Sequence, residues 1–119
     1  TVDPSWTPLL NTPAFPEYVS GHSAFSGAAA IILTHFNGGD ALTFTATSDS
    51  LPGSIRNFTS LWQCAEEISQ SRLYGGIHFP AALDDGLTLG KSIATQVLSR
   101  ELRASYPKTP ADLHTARSE

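Results

Sequence analysis

The stretch "SRLYGGIHF" (Ser71–Phe79) joins two segments of helical periodicity across a pair of glycines. Arg72 and His78 stand six positions apart, with Gly75 and Gly76 between them. Residues six apart do not face each other on one straight helix. The stretch therefore predicts a helix that ends at the glycines and another that begins after His78, an arrangement that lets both side chains face one site.

Working outward from this junction, the chain shows three segments with apolar residues at helical spacing: 23–36, 57–74 and 80–102. Asn57 or Thr59 is predicted to cap the second helix. The segment "LTFTATS" (42–48) alternates like a strand but is short, and it is interpreted as an extended loop or a single strand. The pattern predicts a mostly α domain, or a fragment of one. The apolar faces are wide, which indicates packing partners beyond these three helices.

The length of 119 residues fits one domain, predicted here as a segment 1–106 followed by a polar tail, 107–119. Four prolines within residues 1–19 predict an extended arm at the beginning of the chain. This arm carries apolar residues, among them Trp6, Leu10 and Phe15, and is expected to lie on the core rather than in solvent.

Composition excludes several classes of protein. A hydrophobic content of 40% is too high for a disordered chain, and the longest apolar stretch, Ala24–Leu33, is far shorter than the roughly 20 residues of a membrane span. The net charge of −4 argues against a nucleic-acid partner. The single cysteine, Cys64, excludes an internal disulfide framework.

The triplet "SGH" (20–22) precedes the first helical segment, where free backbone N–H groups and the helix dipole favour an anion. Gly21 allows the backbone to approach a ligand closely. The Ser20 hydroxyl can donate a hydrogen bond to an oxyanion. His22 can titrate near neutral pH, as a general acid or base requires.

Arg72 and His78 complete a set of residues suited to a tetrahedral anion. The guanidinium of Arg72 offers a fixed fork of N–H donors, and a neutral His78 can attack phosphorus or bind a metal-oxo centre. Each residue also has a structural alternative. Ser20 can serve as an N-cap, Gly21 as a turn residue, Arg72 as a surface ion-pair former and His78 as a helix-end histidine.

The triplet "SGH", followed some fifty residues later by "SR", five residues and "H", resembles two of the three signature motifs of the phosphatidic acid phosphatase type 2 and vanadium-dependent haloperoxidase superfamily. The longer stretches "PAFPEYVSGHSAFSGAA", "AEEISQSRLYGGIHF" and "GLTLGKSIATQV" look like the haloperoxidase branch. The resemblance covers most of residues 4–100.

This resemblance implies an all-α fold, a helical bundle of the haloperoxidase and acid phosphatase type, of which this chain is the C-terminal portion. The bundle is built around a pocket for vanadate, which phosphate can also occupy. His78 matches the residue that binds vanadium in haloperoxidases and is phosphorylated in the phosphatases. His22 matches the acid–base histidine beside it. Ser20, the Gly21 N–H and Arg72 match the groups that hydrogen-bond the oxygens of the oxyanion.

The resemblance implies an enzyme that oxidises halide with hydrogen peroxide. Two alternatives remain open: an acid phosphatase that hydrolyses phosphoesters, and a non-catalytic fragment that packs against a partner chain. The family's upstream lysine and arginine have no match here, so an upstream polypeptide is expected to supply them. Ala82 stands where the family often has an aspartate. The residues do not reveal the compartment; the resemblance suggests a secreted or periplasmic protein.

Overall fold

The computed structural model describes residues 3–102, a bundle of three helices with a small antiparallel hairpin. In chain order the elements are α1 (Gly21–Asn37), β1 (Ala41–Thr47), β2 (Ile55–Ser60), α2 (Leu61–Tyr74) and α3 (Pro80–Arg100). The predicted helical-bundle class is confirmed, and the predicted tail 107–119 lies outside the described residues. Within residues 3–102, no helix is both long and apolar enough to cross a membrane.

The first helix begins at the "SGH" triplet, two residues earlier than the periodicity indicates. Ser20 is its N-cap, and the Ser20 hydroxyl accepts a hydrogen bond from the Ser23 N–H at 3.3 Å. The helix ends at Gly38, whose φ of 76° is left-handed and suits a residue without a side chain. The helix therefore presents its free N–H groups at Gly21 and His22 rather than after them.

The hairpin corrects the predicted second helix. Residues 55–60, whose last four were assigned to that helix, form strand β2, which pairs with β1 in place of the predicted single strand or loop. Phe58 lies opposite Phe44 with ring centroids 5.2 Å apart, and Phe58 is buried. The pairing of the two rings stabilises an extended conformation in a segment rich in β-branched and aromatic residues.

The cap of α2 is Ser60, not Asn57 or Thr59. The Ser60 hydroxyl accepts from the Gln63 N–H at 3.0 Å, and the Gln63 side chain accepts from the Thr59 N–H at 2.8 Å. The two bonds satisfy two backbone donors at once and resemble a capping box, except that the Gln63 side chain reaches the N–H of the residue before the cap. The predicted end of α2 at Tyr74 is confirmed, and α3 ends at Arg100, two residues before the predicted position.

Small residues allow the three helices to pack closely. Helix α1 contacts both α2 and α3, and the contact with α3 forms at Gly86 and Gly90. Between α1 and α2, the hydroxyls of Ser23 and Ser69 form a hydrogen bond of 2.7 Å, and both residues are fully buried. Since Ser69 lies one turn before Arg72, this bond holds the beginning of α1 beside the end of α2.

Exchange of Ser69 for alanine is expected to lower the free energy of unfolding by about 1–3 kcal/mol, because it leaves the buried Ser23 hydroxyl without its partner. The double variant Ser23→Ala/Ser69→Ala should lose less than the sum of the single changes. Urea denaturation of the full-length protein measures both values. The exposed helix serine of the Ser92→Ala variant is the control, with a change within about 0.5 kcal/mol. Additive single changes would contradict the coupling.

The arm before α1 lies against the junction of α2 and α3, as expected. The Leu10 N–H donates to the Gly75 carbonyl at 3.0 Å, and Gly76, with φ of 73°, sits against Trp6 and Pro8. The apolar side chains of the arm are nevertheless largely exposed, with Leu9 at 83%. The arm is therefore held mainly by hydrogen bonds, and most of its apolar surface stays uncovered.

Candidate oxyanion site

The junction of α2 and α3 turns in the way the glycine pair predicts. Arg72 lies in the last turn of α2, and its carbonyl accepts the Ile77 N–H at 3.3 Å. Gly76 adopts the left-handed conformation that reverses the chain. His78 follows in the short link before Pro80, the first residue of α3. Arg72 and His78 are thereby placed at the same end of the bundle.

Two hydrogen bonds bring the "SGH" triplet to this junction. The Ser20 N–H donates to the Ala82 carbonyl at 3.0 Å, one turn beyond His78 in sequence. The Ser23–Ser69 bond ties the first turn of α1 to the last turns of α2. The beginning of α1, the end of α2 and the beginning of α3 therefore meet, and the five predicted site residues lie on these three ends.

Several polar atoms at this meeting point have no partner within residues 3–102. Arg72 Nε and both ring nitrogens of His78 are buried and form no hydrogen bond with the described chain. The His78 side chain is 1% exposed. Buried donors without partners are costly, at about 1–3 kcal/mol each, and an oxyanion ligand would satisfy Arg72 Nε and the one ring nitrogen of His78 that faces it. These orphaned atoms fit a tetrahedral oxyanion.

The Ser20 side chain combines the predicted role with its structural alternative. Its oxygen caps α1 by accepting the Ser23 N–H, and its own proton remains available for donation. Ser20 is fully buried, so a ligand oxygen would meet this hydroxyl away from bulk water. The N-cap interpretation is thus confirmed, and it leaves the oxyanion-binding interpretation possible for the same side chain.

His22 lies at an open cavity of about 390 Å³ lined by Phe15, Gly21, His22, Phe25 and Ser26. Arg72 and His78 do not line this cavity. Partial desolvation lowers the pKa of His22, and the nearby positive charge of Arg72 lowers it further. His22 is therefore poised in its neutral form, which can accept a proton.

Exchange of Arg72 for alanine is expected to raise the pKa of His22 toward its ordinary value near 6.5, because a repelling charge is removed. Proton NMR titration of His22 measures the shift. The Arg56→Ala variant is the control, since Arg56 is engaged by Glu67 at 2.6 Å. Because folding lowers the His22 pKa, the unfolded state binds the proton more readily, and stability falls as pH drops below about 6.5. An unchanged pKa in Arg72→Ala would contradict the proximity.

Two residues near His78 were not predicted. The Phe15 ring stacks on the imidazole with centroids 6.5 Å apart, and Glu17 Oε1 lies 3.5 Å from His78 Nδ1. Both belong to the irregular arm, where no periodicity indicates which way a side chain points. The one signal in the sequence that could have pointed to these two residues is that they lie a few positions before the "SGH" triplet.

The expected departures are visible in the structure. Ala82 is buried and contributes only its carbonyl, while Asp85 accepts a hydrogen bond from the Tyr18 hydroxyl at 2.7 Å. Lys91, the one lysine among residues 3–102, lines a cavity with Thr34 near the other end of α1. At 1.5 Å per residue, that is about 18 Å along the helix from His22. Within residues 3–102 no lysine accompanies Arg72 at the junction.

The described residues form a helical bundle with a candidate oxyanion site where its helix ends meet. Residues 1–105 match the family described as the VCPO second helical-bundle domain, so the chain belongs to this family. A search of curated proteins finds no significant match.

Two solved structures are similar to the chain, the first at an identity that supports the same assignment and the second in fold alone. The crystal structure of the first bacterial vanadium-dependent iodoperoxidase is similar with a TM-score of 0.73 and 46% identity, over 80% of this chain and 23% of that one. A holo-type bacterial vanadium-dependent chloroperoxidase is 20% identical with a TM-score of 0.66, over 83% of this chain and 23% of that one. The chain thus spans about a quarter of the length of these relatives.

Proposed function

We propose that the chain forms part of a vanadium-dependent haloperoxidase, in which His78 binds vanadate through Nε2. The observation that carries this proposal is the set of buried, unpartnered nitrogens of Arg72 and His78 beside the N-terminus of α1. The family match and the 46% identity to an iodoperoxidase support it. Bound vanadate would supply the electrophilic chemistry by which hydrogen peroxide and one proton from solvent convert a halide ion to hypohalous acid and water.

In this proposal each residue of the site has a distinct role. Arg72 and the Gly21 N–H stabilise negative charge on the oxyanion's oxygens, and the Ser20 hydroxyl donates a further hydrogen bond. His22, kept neutral by desolvation and by the nearby charge of Arg72, accepts a proton from hydrogen peroxide and returns it to the peroxide oxygen that leaves as water. The cavity beside His22 provides access for small reactants.

Among the described residues, Arg72 is the one permanently charged cation at this site. A single positive charge neutralises only part of the charge of a multiply charged anion. We propose that the missing lysine and arginine come from a further part of the polypeptide or from a partner chain. Exposed apolar side chains support this, because they leave a surface that such a part can cover: Trp6 62%, Leu9 83%, Phe25 81% and Phe36 56%. The span of about a quarter of the relatives' length agrees with it.

The test is a paired assay of the full-length protein. Preincubation with orthovanadate is expected to produce peroxide-dependent iodide or bromide oxidation, and inorganic phosphate should compete with vanadate for the site. Hydrolysis of an aryl phosphate that vanadate inhibits, without halide oxidation, would replace the proposal by the acid phosphatase alternative. Neither activity, together with no vanadate binding by ⁵¹V NMR, would favour the non-catalytic fragment.

A further inference from the structure

Glu17 occupies an unusual position beside the link between α2 and α3. Its Oε1 accepts the Phe79 N–H at 2.8 Å, and the same oxygen lies 3.5 Å from His78 Nδ1. The carboxylate is thus held by the backbone directly after His78, within reach of the ring nitrogen on the side of the imidazole opposite Nε2. Glu17 is 38% exposed, whereas the imidazole is buried.

This placement matters because an imidazole can bind a ligand through one nitrogen only if that nitrogen lacks a proton. A hydrogen-bond acceptor at Nδ1 keeps the proton there and leaves the Nε2 lone pair free. Among residues 3–102, Glu17 is the acidic side chain within 4.0 Å of His78. Asp84 and Asp85 do not take this role. Neither lies within 4.0 Å of a His78 ring nitrogen, and Asp85 accepts the hydrogen bond of the Tyr18 hydroxyl.

We infer that Glu17 is the positioning residue of His78. Its carboxylate accepts a hydrogen bond from the Nδ1–H group, which keeps the proton on Nδ1 and leaves Nε2 unprotonated. The same bond orients the ring toward the oxyanion. The separation of 3.5 Å is longer than a hydrogen bond, and we expect it to shorten when an oxyanion binds to Nε2. Glu17 thus replaces the carboxylate that the family often has at the position of Ala82. The expected effect of Glu17 on vanadate affinity rests on the proposed function. Its effect on the tautomer of His78 does not.

The experiment uses ¹⁵N NMR of the full-length protein at alkaline pH, where imidazoles are neutral. The His78 signals are assigned by their loss in His78→Gln. In the wild type, Nδ1 is expected to be protonated and Nε2 bare, and Glu17→Ala should give a mixture of tautomers. Orthovanadate, titrated by ⁵¹V NMR, should bind about 10-fold to 100-fold more weakly to Glu17→Ala.

Two further variants separate positioning from folding. Glu17→Gln keeps an oxygen that can accept both N–H groups, so it should retain the wild-type tautomer and most of the affinity. Tyr18→Phe removes the neighbouring tie of the arm, the hydrogen bond to Asp85, and should leave the tautomer unchanged. If Glu17→Ala does not fold, the wild-type spectrum still decides, because a His78 protonated at Nε2 overturns the inference.

The outcomes also distinguish the inference from the proposed function. A Glu17-dependent tautomer with weaker vanadate binding in Glu17→Ala supports both. An unchanged tautomer and an affinity within about twofold of the wild type overturn the role of Glu17 and leave the vanadate site intact. A wild type that binds no orthovanadate overturns the proposed function, and the tautomer then decides separately whether Glu17 orients His78.

Discussion

The His78→Ala variant is expected to lose vanadate-dependent halide oxidation by at least about 1000-fold, because the proposed ligand and its buried nitrogen are removed. Orthovanadate binding should fall with it, since the remaining donors hold the anion only by hydrogen bonds and charge. Turnover with iodide and a ⁵¹V NMR titration of the full-length protein measure the two effects. We expect the variant to bind orthovanadate too weakly for an excess of orthovanadate to restore turnover.

His35→Ala is the matched control for this variant. His35 lies on the exposed surface of α1 near its end, edge-on to Phe36, and belongs to no predicted site. Its removal should change turnover by less than about twofold, as expected for a surface substitution. Near-UV circular dichroism checks that both variants keep the native packing. Equal losses in the two variants, or full activity in His78→Ala, would contradict the assigned role of His78.

The Gly90→Ala variant is expected to destabilise the bundle by about 3 kcal/mol, the upper end of the usual cost of overpacking. A Cβ at this position would lie in direct conflict with the Ala24 carbonyl and 2.8 Å from the Ala28 nitrogen. Because these are backbone atoms of α1, no side-chain rotation can relieve the contact, and the two helices must separate. The gain of about 1 kcal/mol from better helix propensity is too small to offset this. Urea denaturation measures the difference.

Gly39→Ala adds the same methyl group where no atom lies within 4 Å of the new Cβ, and Gly39 does not adopt a positive φ. The free energy of unfolding should then change by no more than about 0.5 kcal/mol. Separation of α1 from α3 would also move the first turn of α1, so Gly90→Ala should weaken orthovanadate binding while Gly39→Ala should not. Equal stability of the two variants would disprove the close contact.

Sequence reasoning located the helices well and the hairpin poorly. The 3.6-residue period and the glycine caps indicated α1, α2 and α3 within a few residues, because these signals are local. The segment 55–60 was assigned in part to α2 because Phe58 also satisfies the helical spacing. The strand is stabilised by its pairing with β1, where Phe58 lies opposite Phe44 across the hairpin turn. A contact across a turn leaves no trace in either segment alone.

The sequence by itself determined the family and which residue types are available for an oxyanion, because "SGH" and "SR" with the following histidine are local motifs. The tertiary structure decided how these motifs meet. The close approach at Gly90 and the bond between Ser23 and Ser69 set the position of α1. The sequence around one residue of such a contact does not reveal which residue it meets. Glu17 became visible only there, since an irregular arm has no period from which a side chain's direction can be read.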